Sequence, residues 1–279
     1  MTHRANVRYP AVAGMFYPAE PAVLRQMVSG MLGTAPLSFG DKPAGLIVPH
    51  AGYMYSGPTA GAAYGVLRSH HYDVVVIVAP SHREAFRGVS VYSGGAYETP
   101  LGQIAVAGPL RSKLLEASPV VRESESGHRE EHALEVQLPF LQVVIGEFHL
   151  LPLVMGDQTR ETCLALGEAL ADIARGLNVL LVASTDLSHY YPAETAEQID
   201  RVSIDDIRSF DPGRLMDDLE CQRAEACGGG PAVAVMTALR ALGAVRMEIS
   251  AHATSGDVTG DRRSVVGYCS AVAWKKSDA

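Results

Sequence analysis

Four short apolar runs punctuate the chain, each closed off by turn residues: 44–48 (AGLIV), 74–79 (VVVIVA), 149–154 (HLLPLV) and 179–183 (VLLVA). Rich in branched side chains and lacking polar alternation, they predict strands buried on both faces. Between them lie helix-compatible stretches at 21–32, 58–68, 130–144 and 160–175. Strand and helix therefore alternate, and the expected fold class is α/β, a central, mostly parallel or mixed sheet flanked by helices. Further on, 265–274 (VVGYCSAVAW) alternates and predicts another strand, while 200–226 reads as two short helices ahead of the GGGP break at 228–231. No repeat, low-complexity tract or linker interrupts the pattern, so one domain over 1–279 is expected.

Composition narrows the function classes. Hydrophobic residues make up 47% and charged residues 19% of the 279 positions, the balance of a folded globular protein rather than a disordered one. A formal net charge of -8 provides no basic field for phosphates and argues against nucleic acid as a partner. No apolar stretch reaches membrane-spanning length, and Arg8 and Pro10 interrupt the N-terminal segment, so a cytoplasmic protein without a membrane partner is expected. Cys163, Cys221, Cys227 and Cys269 are scattered without CxxC spacing, which favours neither a zinc knuckle nor a disulfide framework.

The chemistry-bearing residues fall where strands end. The run 44–48 leads into PHAGYMYSG with His50, the run 74–79 into PSHRE with His82, and the run 179–183 into STDLSHY with Asp186 and His189. Sites in open α/β sheets gather at the carboxyl ends of strands, so these side chains are expected to share one edge. Imidazole and carboxylate suit iron, copper, nickel or zinc, and two histidines with one anionic ligand is the set used in non-haem Fe(II) oxygen chemistry. Cys227, in ACGGGP, stands where glycine lets the backbone approach another group and where a helix can start at Pro231. A helix N-terminus and a metal both lower a cysteine pKa, which would make it a ligand or a reactive centre.

In GHREEHALEVQLPFL, Leu134, Leu138 and Leu141 form a core-facing helical stripe. His132 and Glu135 are not explained by that stripe and are expected to point into the pocket. His128 lies in a stretch expected to be an exposed loop. His3, His70, His71, His149 and His252 have no comparable context. YETPLG at 97–102 reads as a turn or hairpin, with Thr99 a candidate substrate-lining residue.

These motifs together resemble the Memo family, called AmmeMemoRadiSam system protein B in bacteria and archaea. The resemblance runs nearly end to end, on RYPAVAGMFYP (8–18), IVPHAGYMYSG (47–57), APSHRE (79–84), YETPLG, EEHALEVQLPFL (130–141), STDLSHY (184–190) and ACGGGP (226–231). It implies a fold similar to class III extradiol ring-cleaving dioxygenases, which hold Fe(II) with two histidines and a glutamate, a cysteine replacing the glutamate in Memo-like proteins. Position by position, the resemblance implies His50, His82 and Cys227 as metal ligands and Asp186 beside the metal. It places His132 and His189 as acid–base residues, with donor and acceptor roles interchangeable. Fe(II) is the implied metal, copper or zinc the alternatives, since a thiolate suits them as well. The activity implied is oxidation of a small phenolic or catechol-like substrate, or other metal-dependent redox chemistry. The alternative is a catalytically silent metal-binding regulatory module. The family's name implies an AMMECR-type protein and a radical S-adenosylmethionine enzyme as partners. The chain departs from the animal Memo pattern in STDLSHYY and in the GGGP after the cysteine.

Overall fold

Side chains alternate between the faces of a strand, so a strand made only of apolar residues requires cover on both sides. The computed structural model, which describes residues 6–33 and 41–276, has this arrangement. Its strands are β1 (Val7–Arg8), β2 (Asp41–Val48), β3 (Val74–Pro80), β4 (Val89–Tyr92), β5 (Ala96–Thr99), β6 (Gly102–Ala105), β7 (Val121–Ser124), β8 (His149–Met155), β9 (Val179–Ser184), β10 (His189–Tyr191), β11 (Ala244–Thr254) and β12 (Val265–Lys276). Its helices are α1 (Pro21–Met31), α2 (Tyr53–Tyr64), α3 (Gly108–Ala117), α4 (Leu138–Val144), α5 (Arg160–Ala174), α6 (Ala193–Arg208), α7 (Pro212–Glu220), α8 (Gly229–Ala241) and α9 (Gly256–Thr259).

The main sheet runs β10-β12-β2-β9-β3-β8-β4-β7, with β11 paired to β12, and a small sheet runs β1-β5-β6. Pairing is parallel through β2–β9–β3–β8 and antiparallel where β12 meets β2 and β4 meets β8. The expected α/β architecture with a mixed sheet between helices is thus the one adopted. One face packs Val76, Val78, Leu151, Leu153 and Leu181 against α5 and α8, and the other packs Val75, Ile77, Leu150, Leu180 and Val182 with residues of α1, α2 and α4. Each such side chain removed from water contributes about 1.5–3 kcal/mol, which is why these strands tolerate no polar alternation. No helix among the described residues is long and apolar enough to cross a membrane.

The four central strands lie where the apolar runs predict them, and α1 and α5 match their stretches to within a residue. Elsewhere the boundaries differ. The helix expected over 58–68 is α2, which begins at Tyr53 and contains Pro58. The helix expected over 130–144 is a 3-10 turn at Glu135–Gln137 followed by α4 from Leu138, because Pro139 cannot donate an intrahelical bond and sits in the first turn of a new helix. In 200–226 the first helix begins earlier, at Ala193, and α8 begins at Gly229 rather than Pro231.

His128 is buried, not in an exposed loop. Its Nε2 faces the Ser90 carbonyl at 3.2 Å, so the neutral ring carries its hydrogen there and its Nδ1 accepts from Tyr97 Oη at 2.6 Å. Burial pushes its pKa down to about 3, whereas an unfolded histidine protonates near 6.5. Between those values the unfolded chain binds the extra proton, so stability from this site is complete above about pH 6.5 and declines as pH falls toward 3. By pH 4.5 the loss is about 2–3 kcal/mol. Urea titrations at pH 7 and pH 4.5 are expected to show a smaller acid loss for His128→Gln than for the wild type, and equal losses would count against this origin.

Candidate metal centre

The parallel neighbours β2, β9 and β3 end side by side, and their loops emerge at one edge. The β2–β9 pairing continues past the strands, Thr185 N donating to Val48 O at 2.9 Å, so the turns carrying His50 and Asp186 stay in register. His50 N donates to Asp186 Oδ1 at 2.7 Å. On the other side of β9, Ser81 N donates to Met155 O at 3.0 Å and fixes the β3 turn that carries His82. His132 arrives from the loop before the 3-10 turn. One ring nitrogen from each of His50, His82 and His132 lies within 4.8 Å of the others, close enough for one ion to reach all three. Ring centroids are 5.1 Å (His50–His82), 5.4 Å (His50–His132) and 4.9 Å (His82–His132) apart, and Phe16 walls the His132 ring at 4.8 Å.

Cys227 Sγ stands 3.1 Å from His50 Nε2, and Asp186 Oδ2 stands 4.0 Å from that same nitrogen. The Cys227 and Asp186 backbones are latched together: Cys227 N donates to Asp186 O at 3.2 Å and Asp186 N to Cys227 Sγ at 3.3 Å. The latch depends on Gly228, where a Cβ would fall 2.1 Å from the Ser184 carbonyl oxygen, so any side chain there would push the cysteine loop off the end of β9. Gln158 holds the loop from behind, donating to Cys227 O and accepting from Gly230 N, both at 2.7 Å.

Electrostatics keep the pocket neutral rather than cationic. Burial, then His82, push the His50 pKa down to about 3; burial, then His50, push His132 down to about 4. Burial would raise the Glu131 carboxyl, but hydrogen bonds from the His82 ring, Ala133 N and His82 N outweigh it and hold the group at about 2. Burial lifts Asp186 to about 6. The Cys227 residue is only partly buried as a whole, yet desolvation and then the Asp186 charge push its thiol well above the usual range. This corrects the expectation of a lowered pKa: α8 follows Cys227, but it does not outweigh burial beside a carboxylate.

Of the other expected site residues, His189 is not among the three clustered imidazoles; its backbone N donates to Glu225 Oε1 at 3.0 Å and its Nδ1 is 3.9 Å from that oxygen. Glu135 does not enter the pocket. It is fully buried, paired with Arg8, and accepts from Tyr17 Oη at 2.5 Å, Ala11 N at 2.8 Å and Val12 N at 3.1 Å. The 3-10 turn rotates it away from His132 and toward the N-terminal segment. Thr99 is buried in the β5–β6 hairpin and donates to Gln142 Oε1 at 2.5 Å, a turn-fixing role. His3 lies outside the described residues.

Two groups at the site escaped sequence reasoning. Glu131 accepts from His82 Nδ1 at 3.0 Å and from His82 N at 2.6 Å, and Ser184 Oγ lies 2.9 Å from His50 Nδ1. Both adjoin motifs already singled out, Glu131 preceding His132 and Ser184 opening STDLSHY. Nothing in their spacing shows that they bond to histidines on other strands.

An α/β chain whose sheet gathers a histidine cluster at its carboxyl edge, with a thiol and a carboxylate alongside, belongs to the class of proteins with a metal-capable pocket. A family model described as Memo-like protein matches residues 8–272, and the chain belongs to that family. It is 39% identical to a MEMO1 family protein of Methanopyrus kandleri over 95% of this chain and 98% of that one. It is 40% identical to one of Methanothermobacter thermautotrophicus over 94% and 98% respectively. A crystal structure of an uncharacterized protein from Escherichia coli K12 shares the fold, with a TM-score of 0.51 at 15% identity, covering 83% of this chain and all of that one.

Proposed function

We propose that the pocket holds one redox-active metal ion, Fe(II) foremost, and that the chain oxidises a small phenolic or catechol-like substrate with dioxygen. The observation that carries this reading is the convergence of His50, His82 and His132 within 4.8 Å, with Cys227 and Asp186 against His50. The donors fit such an ion: neutral imidazoles, one thiol and one carboxylate in a pocket that carries little fixed positive charge. In this reading His50, His82 and Cys227 are the ligands and Asp186 borders the ion. Bound Fe(II) would supply open coordination positions at which a chelating substrate and dioxygen meet.

The chain's own residues handle the protons. His132, neutral at pH 7, accepts the proton of a substrate hydroxyl. His189, with Glu225 as a countercharge, returns a proton to the developing product. Phe16 excludes water from the His132 side. The partner expectation, an AMMECR-type protein and a radical S-adenosylmethionine enzyme, belongs to the same reading and rests on the family resemblance.

One observation favours a second reading, a metal-binding regulatory module without turnover. Cys227 is a softer and more oxidisable donor than a carboxylate, which suits copper or zinc and would be consumed by oxygen chemistry. The experiment is oxygen uptake by protein loaded anaerobically with Fe(II) and offered a catechol panel. Uptake that disappears in His82→Ala supports the dioxygenase reading. Uptake no greater than in that variant, with metal retained by the wild type, supports the regulatory one.

A further inference from the structure

The hydrogens on the two firmest ligand candidates can be assigned from groups that are only able to accept. Gln137 Nε2 lies 3.0 Å from the Pro49 carbonyl oxygen, so the amide end facing that oxygen is the NH2. Its carbonyl end then accepts from Tyr64 Oη at 2.9 Å. The second N–H of the same amide points at Ser184 Oγ, 2.9 Å away. Ser184 in turn gives its single hydrogen to the Ala133 carbonyl oxygen at 2.7 Å. A hydroxyl whose hydrogen is committed can only accept, and Ser184 Oγ is 2.9 Å from His50 Nδ1, so the hydrogen between them sits on His50 Nδ1. Ser184 and Gln137 are fully buried, so no water competes for these bonds.

At the second histidine the acceptor is a carboxylate. Glu131 is buried, and its Oε1 lies 3.0 Å from His82 Nδ1 and 2.9 Å from Ala133 N, while Oε2 receives His82 N at 2.6 Å. Such a group accepts at every contact, so His82 also carries its hydrogen on Nδ1. His132 differs: its Nδ1 is 3.2 Å from Glu131 Oε1 but too poorly aligned to bond, and it is buried without a partner.

We infer that Ser184, set by Gln137, and Glu131 are positioning residues that fix His50 and His82 in the Nδ1–H tautomer, so that both rings turn an unprotonated Nε2 toward the pocket. This rests on the reading above that His50 and His82 bind the metal. It separates the three clustered imidazoles into two rings pinned at Nδ1 and one, His132, whose Nδ1 has no hydrogen-bond partner. Ligating histidines are oriented in this way by a bond from the other ring nitrogen, and loss of such a bond typically costs about 10–100-fold in metal affinity. A neutral hydroxyl behind His50 and a carboxylate behind His82 also make His82 the more electron-rich donor.

The test uses metal-free full chain and its Co(II) complex. Long-range proton–nitrogen NMR correlations of the metal-free wild type are expected to show His50 and His82 as Nδ1–H tautomers. Of the two pinned tautomers, Ser184→Ala is expected to release that of His50 and keep that of His82, and Glu131→Gln to release that of His82 and keep that of His50. Each should weaken Co(II) binding by about 10–100-fold and change the Co(II) visible spectrum, while Ser184→Thr, which keeps the hydroxyl, should stay near the wild type. An Nε2–H tautomer at either ring, or Co(II) affinity of Ser184→Ala equal to that of the wild type, would overturn the inference. If instead the tautomers are as stated but the wild type binds no Co(II), the metal reading fails while the positioning of the rings stands.

Discussion

Glu135→Ala is expected to destabilise the fold by about 3–5 kcal/mol, because it leaves the Arg8 guanidinium buried without its counter-charge. Both partners are nearly or fully shielded from water. Three further donors, Tyr17 Oη, Ala11 N and Val12 N, lose their acceptor at the same time. Arg8 also donates to the carbonyls of His128 at 2.8 Å and Glu131 at 2.6 Å, so it is the post against which the loop carrying Glu131 and His132 is built. Released from Glu135, that post is free to shift, and the damage should reach the pocket. For a chain of this size the thermal midpoint should fall by roughly 10 °C. Glu135→Gln, which keeps the acceptor oxygen and the shape, should lose less. Urea unfolding of the three proteins at pH 7 decides the matter: a loss below about 1 kcal/mol for the alanine variant would mean that water or a neighbouring group replaces the carboxylate.

The misplacement of Glu135 shows where the sequence stops being legible. Read along a helix from Glu130, it falls near His132. The chain makes a 3-10 turn there instead and restarts its helix around Pro139, and the change of pitch sends the two side chains to different places. The central strands were readable because parallel strands covered on both faces must be apolar throughout. The three functional loops were readable for the same reason, each following directly on such a run. β11 was not singled out although Val245–Thr254 alternates apolar and polar residues, because two of its apolar positions are alanines and only Met247 is buried, so the apolar face is thin. Cys227 was singled out by its glycine-rich context but placed at the metal mostly by resemblance: it reaches His50 across 177 positions, through a glycine whose need is visible only against the Ser184 carbonyl. The groups that orient the rings, Ser184, Gln137 and Glu131, are likewise long-range acceptors and donors, and no local pattern encodes them.

The second large effect expected is on metal binding by His50→Ala. His50 is the hub of the pocket: its Nε2 faces Cys227 Sγ at 3.1 Å and Asp186 Oδ2 at 4.0 Å, and its ring touches both other imidazoles. Apparent binding energies of about 10–16 kcal/mol for a four-ligand ion amount to roughly 3 kcal/mol per ligand, or about a hundredfold in affinity. His50→Ala should lose at least that much, measured by competition against a chelator on metal-free protein. Cys227→Ser should lose a similar factor for zinc or copper and less for Fe(II), because a hydroxyl replaces a soft thiolate poorly and a hard site is less sensitive to the change. The thiol is held protonated by burial and by Asp186, so an ion bound through sulfur must displace that proton, and wild-type affinity should fall as pH is lowered. His132→Ala is the control within the cluster. If His132 handles protons and Cys227 holds the ion, removing the imidazole keeps the affinity within severalfold and abolishes turnover. If the three histidines are themselves the ligand set, His132→Ala loses the metal as completely as His50→Ala does, and Cys227→Ser keeps it together with the pH dependence of binding unchanged.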